Sequence, residues 1–205
     1  MKRLNNKGMT VVEVLICFIL VSIIAMSLFS TISSYNQLRI LEGYKSKIYS
    51  YKNELTKVIQ DDFILRGLVQ ATYTRKTTTD ELVTHQVDCV LKDGEMRRLL
   101  IKRQPKTNTF VIQYGVIDGT ETAVSLVEYP LPNLGQSKNP EGTLVNDLTI
   151  NNVLISITTK DDTNVLSIYI GFYHPELSTR YGVNIIAPID FPSTTSDGTG
   201  VFNVS

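Results

Sequence analysis

A single carboxylate, Glu13, stands in an otherwise apolar stretch from Met9 to Phe29. A charged side chain inside a hydrocarbon layer costs a few kcal/mol or more, and such a residue usually marks a functional site with a partner. No Lys or Arg lies between Gly8 and Arg39, so no basic side chain nearby in the chain can neutralise it. If the chain were cut after Gly8, Met9 would carry a free amine at the depth of Glu13 of a neighbouring copy. The pattern therefore predicts a charge pair between subunits.

His85 and Cys89 are the residue types of a base and a nucleophile. They lie four positions apart on a predicted strand, which separates them by about 13 Å at roughly 3.3 Å per residue. A nucleophile and its base need hydrogen-bond distance, so we predict a core cysteine and a surface histidine instead of a catalytic dyad. With no Trp and only two His, the chain offers little material for metal or cofactor chemistry. We predict no catalytic activity and no cofactor.

Asp161, Asp162 and Asn164 could supply oxygen ligands to a cation. Their spacing matches no defined calcium loop. Asp and Asn also suit the backbone angles of tight turns. The sequence therefore favours a polar hairpin tip over a calcium site.

One segment concentrates positive charge. Between positions 92 and 106 lie Lys92, Arg97, Arg98, Lys102, Arg103 and Lys106, against two acidic residues. Such a cluster could contact phosphates if the protein served DNA uptake. The interleaved residues Leu99 to Ile101 instead indicate a strand with basic groups at exposed positions. We favour a solvated face and keep nucleic acid as the alternative.

The apolar stretch that contains Glu13 predicts a membrane helix. A helix of about 20 residues rises roughly 30 Å, the thickness of one hydrocarbon core. Lys2, Arg3 and Lys7 precede it. Basic flanks stay on the cytoplasmic side, so we expect a single-pass membrane protein with its remainder outside the cytoplasm.

The order of these elements matches a known family. A short basic leader ends in Gly8 and is followed by Met9-Thr10, two apolar residues, Glu13 and a long apolar run. This pattern closely resembles the N-terminus of type IV prepilins and pseudopilins. The resemblance is strong over residues 1 to about 35. Met9 stands where Phe is usual, and Ser30 lies where many pilins carry a kinking proline.

The resemblance implies processing and assembly. A prepilin peptidase would cleave between Gly8 and Met9, Met9 would be N-methylated, and Glu13 would act in assembly. The partners would be other pilins or pseudopilins through the N-terminal helix, the peptidase and an inner-membrane assembly platform. The protein would leave the cell membrane for a type IV pilus or a type II secretion fibre.

Other interpretations compete with this one. The stretch could be a plain membrane anchor or the buried core helix of a soluble protein. It could also be a signal peptide with its apolar core at Val14–Ile24 and a cleavage site near Ala25 to Ser27. A runner-up of another class is an exported binding module, either an adhesin or a DNA-uptake component, that uses the head as its receptor surface.

Helical periodicity continues beyond the membrane stretch. Apolar residues recur at spacings of three and four: Leu41, Tyr44, Ile48, Tyr51, Leu55 and Val58. No Pro interrupts the span and Gly43 is its only glycine, so we predict one unbroken helix from about Thr10 to Asp62. We expect its stripe to pack against a sheet; a coiled coil is the alternative.

Beyond Arg66-Gly67 the periodicity changes to that of strands. Predicted strands cover Leu82–Leu91, Met96–Arg103, Thr109–Ile117, Thr122–Tyr129, Val153–Lys160, Val165–Tyr173 and Val183–Phe191. The tetrapeptides 92–95 and 161–164 are predicted to form hairpin turns. Residues 130–142, rich in Pro and Gly, are expected to be irregular.

The overall composition supports one head domain and an anchor. The 205 residues carry 20 basic and 20 acidic side chains, so there is no global attraction to nucleic acid or acidic membranes. Two cysteines cannot make a disulfide framework. We predict an α+β, pilin-like fold: a leader at 1–8, a long helix at 9–62 (transmembrane at 9–29, amphipathic at 30–62), an antiparallel β head at 63–191 and a flexible tail at 192–205. The head's size resembles that of larger minor pilins and J-type pseudopilins.

Overall fold

The computed structural model describes residues 10–77, 83–104, 109–118, 124–138, 142, 144–160, 163–190 and 201–202. The chain divides into two compact units, Met1–Tyr44 and Lys45–Ser205. The second unit contains the sheet and is called the head below. The coarse expectation of a long apolar N-terminal helix followed by a mostly antiparallel sheet is confirmed.

Helix α1 (Val11–Leu65) is a single helix of 55 residues. It has no proline, and its glycine at position 43 has open space around it. The helix ends where Gly67 adopts a left-handed backbone conformation with φ of 70°, which glycine reaches at little cost. The helix therefore ends three residues beyond the predicted Asp62, at the breaker identified in the sequence.

Most of the part of α1 that lies in the first unit is exposed. From Val11 to Ile40 every side chain is exposed except the half-buried Ser22. The hydroxyl of Ser22 donates to the carbonyl of Phe18 at 2.8 Å, and that of Thr31 donates to Ser27 at 2.9 Å. These two hydroxyls are thus satisfied by carbonyls of the preceding turn of the helix. By length and composition this segment could cross a membrane.

The head is built on a nine-stranded sheet. Its strands are β1 (Leu68–Thr77), β2 (Val83–Leu91), β3 (Met96–Gln104), β4 (Thr109–Ile117), β5 (Val124–Tyr129), β8 (Thr149–Lys160), β9 (Thr163–Tyr173), β10 (Tyr181–Ile189) and β11 (Val201–Phe202). They lie in the order β11-β8-β9-β10-β1-β2-β3-β4-β5. A separate hairpin pairs β6 (Gln136–Lys138) with β7 (Leu144–Asn146).

The large sheet consists of two antiparallel halves joined at one corner. Strands β8 to β11 form one half and β1 to β5 the other. Their only described pairing is the parallel contact of Leu68 with Ile189, beside which the amide of Asp190 donates to the carbonyl of Leu68 at 3.1 Å.

The C-terminal part of α1 packs on both halves. Its buried stripe is Ile48, Tyr51, Leu55, Ile59 and Phe63. The ring of Tyr51 lies 5.7 Å from that of Phe172 on β9, while its hydroxyl donates to the carbonyl of Tyr129 on β5 at 2.8 Å. Because α1 advances by 3.6 residues per turn, Ile59 takes the core position after Leu55, and the predicted Val58 is only half buried. The stripe packs a sheet, as expected.

The structure adds strands to those predicted. The sequence interpretation assigned no strand to Leu68–Thr77, yet β1 connects the two halves of the sheet. Strand β6 lies in the segment 130–142 that was expected to be irregular. The side chain of Asn146 organises this region, because its amide donates to the carbonyl of Pro132 at 3.0 Å and its oxygen accepts the amide of Leu148 at 3.1 Å. Hydrogen bonds from a side chain to a loop backbone leave no periodic pattern in the sequence, so the sequence analysis could not predict them.

Candidate functional site

Thr10 and Glu13 form a closed hydrogen-bonded unit at the start of α1. The Glu13 carboxylate accepts the backbone amide of Thr10 at 2.8 Å and its hydroxyl at 3.0 Å, while the hydroxyl of Thr10 accepts the amide of Glu13 at 3.3 Å. This is a capping box, in which the residue before the helix and the third helical residue satisfy each other's amides. Glu13 therefore has neutral partners within its own chain.

Sequence reasoning overlooked Thr10 as a partner. It considered only basic side chains, although the spacing Thr-x-x-Glu before an apolar run is a sequence signature of this cap. Both bonds to the carboxylate end on the same oxygen, Oε2. The other oxygen, Oε1, accepts no hydrogen bond from the part of the chain that the structure describes. The cap thus orients the carboxylate and leaves one oxygen for a donor from elsewhere.

The predicted processing site, Gly8 and Met9, lies outside the described residues. The peptide bond to be cut and the amine to be released are therefore not placed by the structure. What is placed is the residue that follows them, Thr10, at the cap of α1. Cleavage after Gly8 would leave both partners of the capping box in the mature chain.

The opposite end of α1 carries the densest group of charges in the described head. Arg66 binds Asp93 and Glu95 of the β2–β3 turn, and Arg97 binds Glu95 at 2.9 Å and Asp62 at 3.4 Å. The pKa of Asp93 is lowered by the amide of Glu95 and then by Arg66; the pKa of Glu95 is lowered chiefly by Arg66. These bonds fasten the last turn of α1 to the turn between β2 and β3.

Tyr114 on β4 completes this group by donating to Asp62 at 2.9 Å. Its ring also packs against Phe63, 6.2 Å between centroids. Burial is the main cause that raises the pKa of the Tyr114 phenol, with the Asp62 charge adding to it. The phenol therefore stays protonated as a donor. The arrangement is a structural clamp that ties the last turns of α1 to β4 and to the β2–β3 turn.

The predicted basic cluster is divided by the fold. Arg98 forms a two-pronged pair with Asp88 at 2.6 and 2.9 Å, and Lys92 pairs with Asp190 at 2.8 Å. Arg97 faces the opposite side of the sheet, toward α1. Lys106 lies outside the described residues. Lys92, Arg97 and Arg98 are thus paired with acidic side chains at separate sites. These three residues therefore do not form one continuous phosphate-binding surface.

His85 and Cys89 are both buried on β2, so the expectation of a surface histidine is wrong. His85 shares a hydrogen bond with the Tyr73 hydroxyl at Nδ1, 2.9 Å away, and the two rings are nearly parallel. Burial, aided by the charge of Arg75, lowers the pKa of His85 to about 4. Burial raises the pKa of the Cys89 thiol, which keeps it unreactive. Cys89 is a core residue, as expected.

The acidic turn at Asp161 and Asp162 lies outside the described residues. Its third member, Asn164, faces Thr159 across the hairpin at 2.6 Å between the two side-chain oxygens. Among the described residues no group of His, Cys, Asp or Glu is arranged to hold a metal ion.

Comparison with known proteins identifies no relative: no family model, no curated protein sequence and no solved structure matches the chain.

Proposed function

We propose that this chain is a minor pilin or pseudopilin, a structural subunit of a type IV pilus or a type II secretion-like fibre. It would be inserted in the cell membrane through α1 with its head outside the cytoplasm. A prepilin peptidase would cut it after Gly8, Met9 would be N-methylated, and an assembly platform would draw the mature chain into the fibre. The helices of neighbouring subunits would pack together in the fibre core, and the chain itself would perform no catalysis.

The observation that carries this proposal is the state of Glu13. The capping box gives the carboxylate a local role in the chain, and the proposal gives its charge a partner, which a charge at the depth of a membrane helix requires. Here the carboxylate is fixed by Thr10 at one oxygen, at the start of an exposed apolar helix that continues into a β head. Both described bonds end on Oε2, so Oε1 can accept a hydrogen bond from an ammonium group of a neighbouring chain.

Mass spectrometry of the mature N-terminus tests the proposal. We expect a chain that begins at Met9 and carries one added methyl group. A mature start near Leu28 would identify a signal peptide, and an intact Met1 would identify a plain anchor. Either result would overturn the proposed function.

Variants of Gly8 test the peptidase assignment separately. Gly8→Ala should be processed better than Gly8→Glu, because a peptidase pocket shaped for glycine has little room beside the cut bond. Gly8→Glu should accumulate as a precursor that is heavier by the eight-residue leader. Normal processing of Gly8→Glu would exclude a prepilin peptidase.

A DNA-uptake role is the second candidate, and it has less support. Three of the six basic residues that motivated it, Lys92, Arg97 and Arg98, are engaged with Asp190, Asp62 and Asp88. Binding to duplex DNA would have to compete with these pairs. Retardation of a duplex by the purified protein at about 0.15 M salt would favour this candidate.

A further inference from the structure

Two lysines from different parts of the chain meet in one row across strands β1, β2 and β3. Lys76 of β1 pairs with Thr84 of β2, and Thr84 pairs with Lys102 of β3. Residues paired across neighbouring strands lie on the same side of a sheet. With strands about 4.8 Å apart, the Cα atoms of the two lysines are about 10 Å apart, and the threonine lies between them. We call these three residues the basic row.

The basic row lies on the outer side of the sheet. The neighbouring residues His85 and Ile101 are buried in the core, and successive residues of a strand point to opposite sides. Lys76 is exposed, while the other two members of the row are half buried. Arg75, also exposed, adds a third positive charge at this end of β1. Burial is the first cause that lowers the pKa of His85 and the charge of Arg75 is the second, which places that charge close to the row.

The three cations of this region are not neutralised within the described part of the chain, where no carboxylate lies at ion-pair distance from any of them. The outer side of β1, β2 and β3 does hold Asp88, but Arg98 binds both of its oxygens. The connections at this end of the strands lie outside the described residues. Counted with them, positions 75–84 and 101–108 contain five basic and two acidic residues, so the excess of positive charge remains.

The narrowness of the basic row favours a linear polyanion as its partner. The next row on the same side of the sheet is uncharged and consists of Thr74, Gln86, Leu100 and Gln113. A DNA strand carries one negative charge per 3.4 Å of helix axis, so two lysines about 10 Å apart span about three successive phosphates. A charged membrane surface is planar and would favour a broad cluster of cations over a single row.

We propose that the basic row binds the phosphate backbone of a nucleic acid. The flexible stems of the two lysines can bring their ammonium groups to separate phosphates, and the Thr84 hydroxyl can donate to a phosphate oxygen between them. Contacts to phosphates carry no sequence information, so binding should not depend on the base sequence. The site belongs to the head alone and requires neither cleavage after Gly8 nor fibre assembly. It involves β1, which the basic run at positions 92–106 does not include.

The small number of cations sets the expected strength. Each phosphate neutralised on duplex DNA adds about −0.9 to the slope of log K against log salt concentration. The basic row and Arg75 together should therefore give a slope of about −2.7. Non-specific binding of this kind has dissociation constants of about 10⁻⁴–10⁻⁶ M at physiological salt, and three contacts place this protein at the weak end of that range. Binding should consequently be measured at low salt.

Fluorescence anisotropy of a labelled DNA duplex tests the site, with the full chain held in phosphatidylcholine nanodiscs at roughly 50 mM salt. The double variant Lys76→Gln/Lys102→Gln should raise the dissociation constant at least tenfold and reduce the salt slope by about 1.8. The control Lys47→Gln/Lys57→Gln removes the same charge from exposed positions of α1 and should stay within about twofold of wild type. An equal loss in both double variants, or no binding by the wild type, would overturn the proposal.

Competition distinguishes a nucleic acid from other sources of phosphate. Unlabelled duplexes of two unrelated sequences should displace the labelled one equally well. Phosphatidylglycerol vesicles and inorganic phosphate should be weaker competitors at the same phosphate concentration; displacement by either one as effective as that by duplex would refute binding to a nucleic acid. Thermal unfolding like that of the wild type would establish that both double variants are folded. Because the N-terminus is analysed separately, failure of the predicted processing would leave these results unchanged.

Discussion

Because Glu13 belongs to the capping box at the start of α1, its replacement by Gln, Val or Ala should have different effects on fibre incorporation. Glu13→Gln keeps an oxygen that can accept the amide of Thr10, and glutamine is a normal member of such caps. It removes only the charge. Glu13→Val and Glu13→Ala remove the charge and the carboxylate's half of the capping box, while the bond from the amide of residue 13 to the Thr10 hydroxyl can remain. Thr10→Ala removes the capping hydroxyl and leaves the carboxylate. The four variants therefore separate local capping from pairing between chains.

The two roles differ in magnitude. Loss of the Thr10 hydroxyl should cost about 1 kcal/mol of helix stability, a factor of roughly five. Removing one member of a buried ion pair costs about 3–5 kcal/mol, because the remaining charge is left without a partner. If Glu13 pairs with the amine of Met9 of an adjacent subunit, Glu13→Gln should reduce fibre incorporation by about two to four orders of magnitude. Thr10→Ala should then reduce it only a few-fold.

The assay is the amount of this protein in sheared fibres relative to its membrane pool, measured by immunoblot in cells that express the other fibre components. Mass spectrometry of the membrane pool should show leader removal in all variants, since none alters the Gly8–Met9 bond. Contacts made by the head could retain part of each variant in the fibre, so the order of the variants is the decisive result. If Glu13→Gln is incorporated like wild type while Thr10→Ala and Glu13→Val are both reduced, Glu13 acts only as a cap and the charge pair is refuted.

Three further predictions concern the head. Gly115→Ala should destabilise it by about 2–4 kcal/mol, because the new Cβ would lie 2.1 Å from a backbone oxygen of β5; Gly43→Ala, with nothing within 4 Å, should be neutral or stabilising by up to about 1 kcal/mol. Chemical denaturation measures both. The pKa of His85 is lowered to about 4, so the unfolded chain binds the extra proton between pH 6.5 and 4. Stability should fall by up to about 3 kcal/mol across that range, and His85→Gln should abolish this part of the pH dependence. Asp62→Ala should cost about 1–3 kcal/mol because its partners stay partly buried, whereas Asp61→Ala at the exposed neighbouring position should change little.

The sequence predicted elements whose signals are local. The absence of proline and the glycine at position 67 set the extent of α1, and the observed helix ends at Leu65. The turn at Lys92 to Glu95 was predicted from Asp-Gly, and Gly94 adopts a φ of 83° there. The Thr10–Glu13 cap was equally local and could have been predicted from its spacing. It was missed because only charged partners for Glu13 were considered.

Features that depend on pairing between distant strands could not be predicted from local sequence signals. His85 has a polar side chain on a strand, and only the register of β1 against β2 brings Tyr73 to its ring. Strand β1 was not recognised because Leu68 to Thr77 mixes core and exposed residues without clean alternation near its start, where the register shifts between Leu68 and Gln70. Such a bulge is set by neighbouring strands rather than by the segment itself.

The alternation of side chains along strands explains why charge was harder to predict than secondary structure. Arg97 and Arg98 are adjacent in the chain, but successive residues of a strand point to opposite sides of the sheet. One therefore joins the clamp at Asp62 and the other pairs with Asp88 on the outer side. A basic run in the sequence is thus divided in space. The converse also holds, since residues that form no run in the sequence can share one side of the sheet. Ser167 and Ile186 become neighbours only through the pairing of β9 with β10. Surface chemistry on a sheet follows from register, so a test of this protein's interactions should begin from the paired strands rather than from charged runs in its sequence.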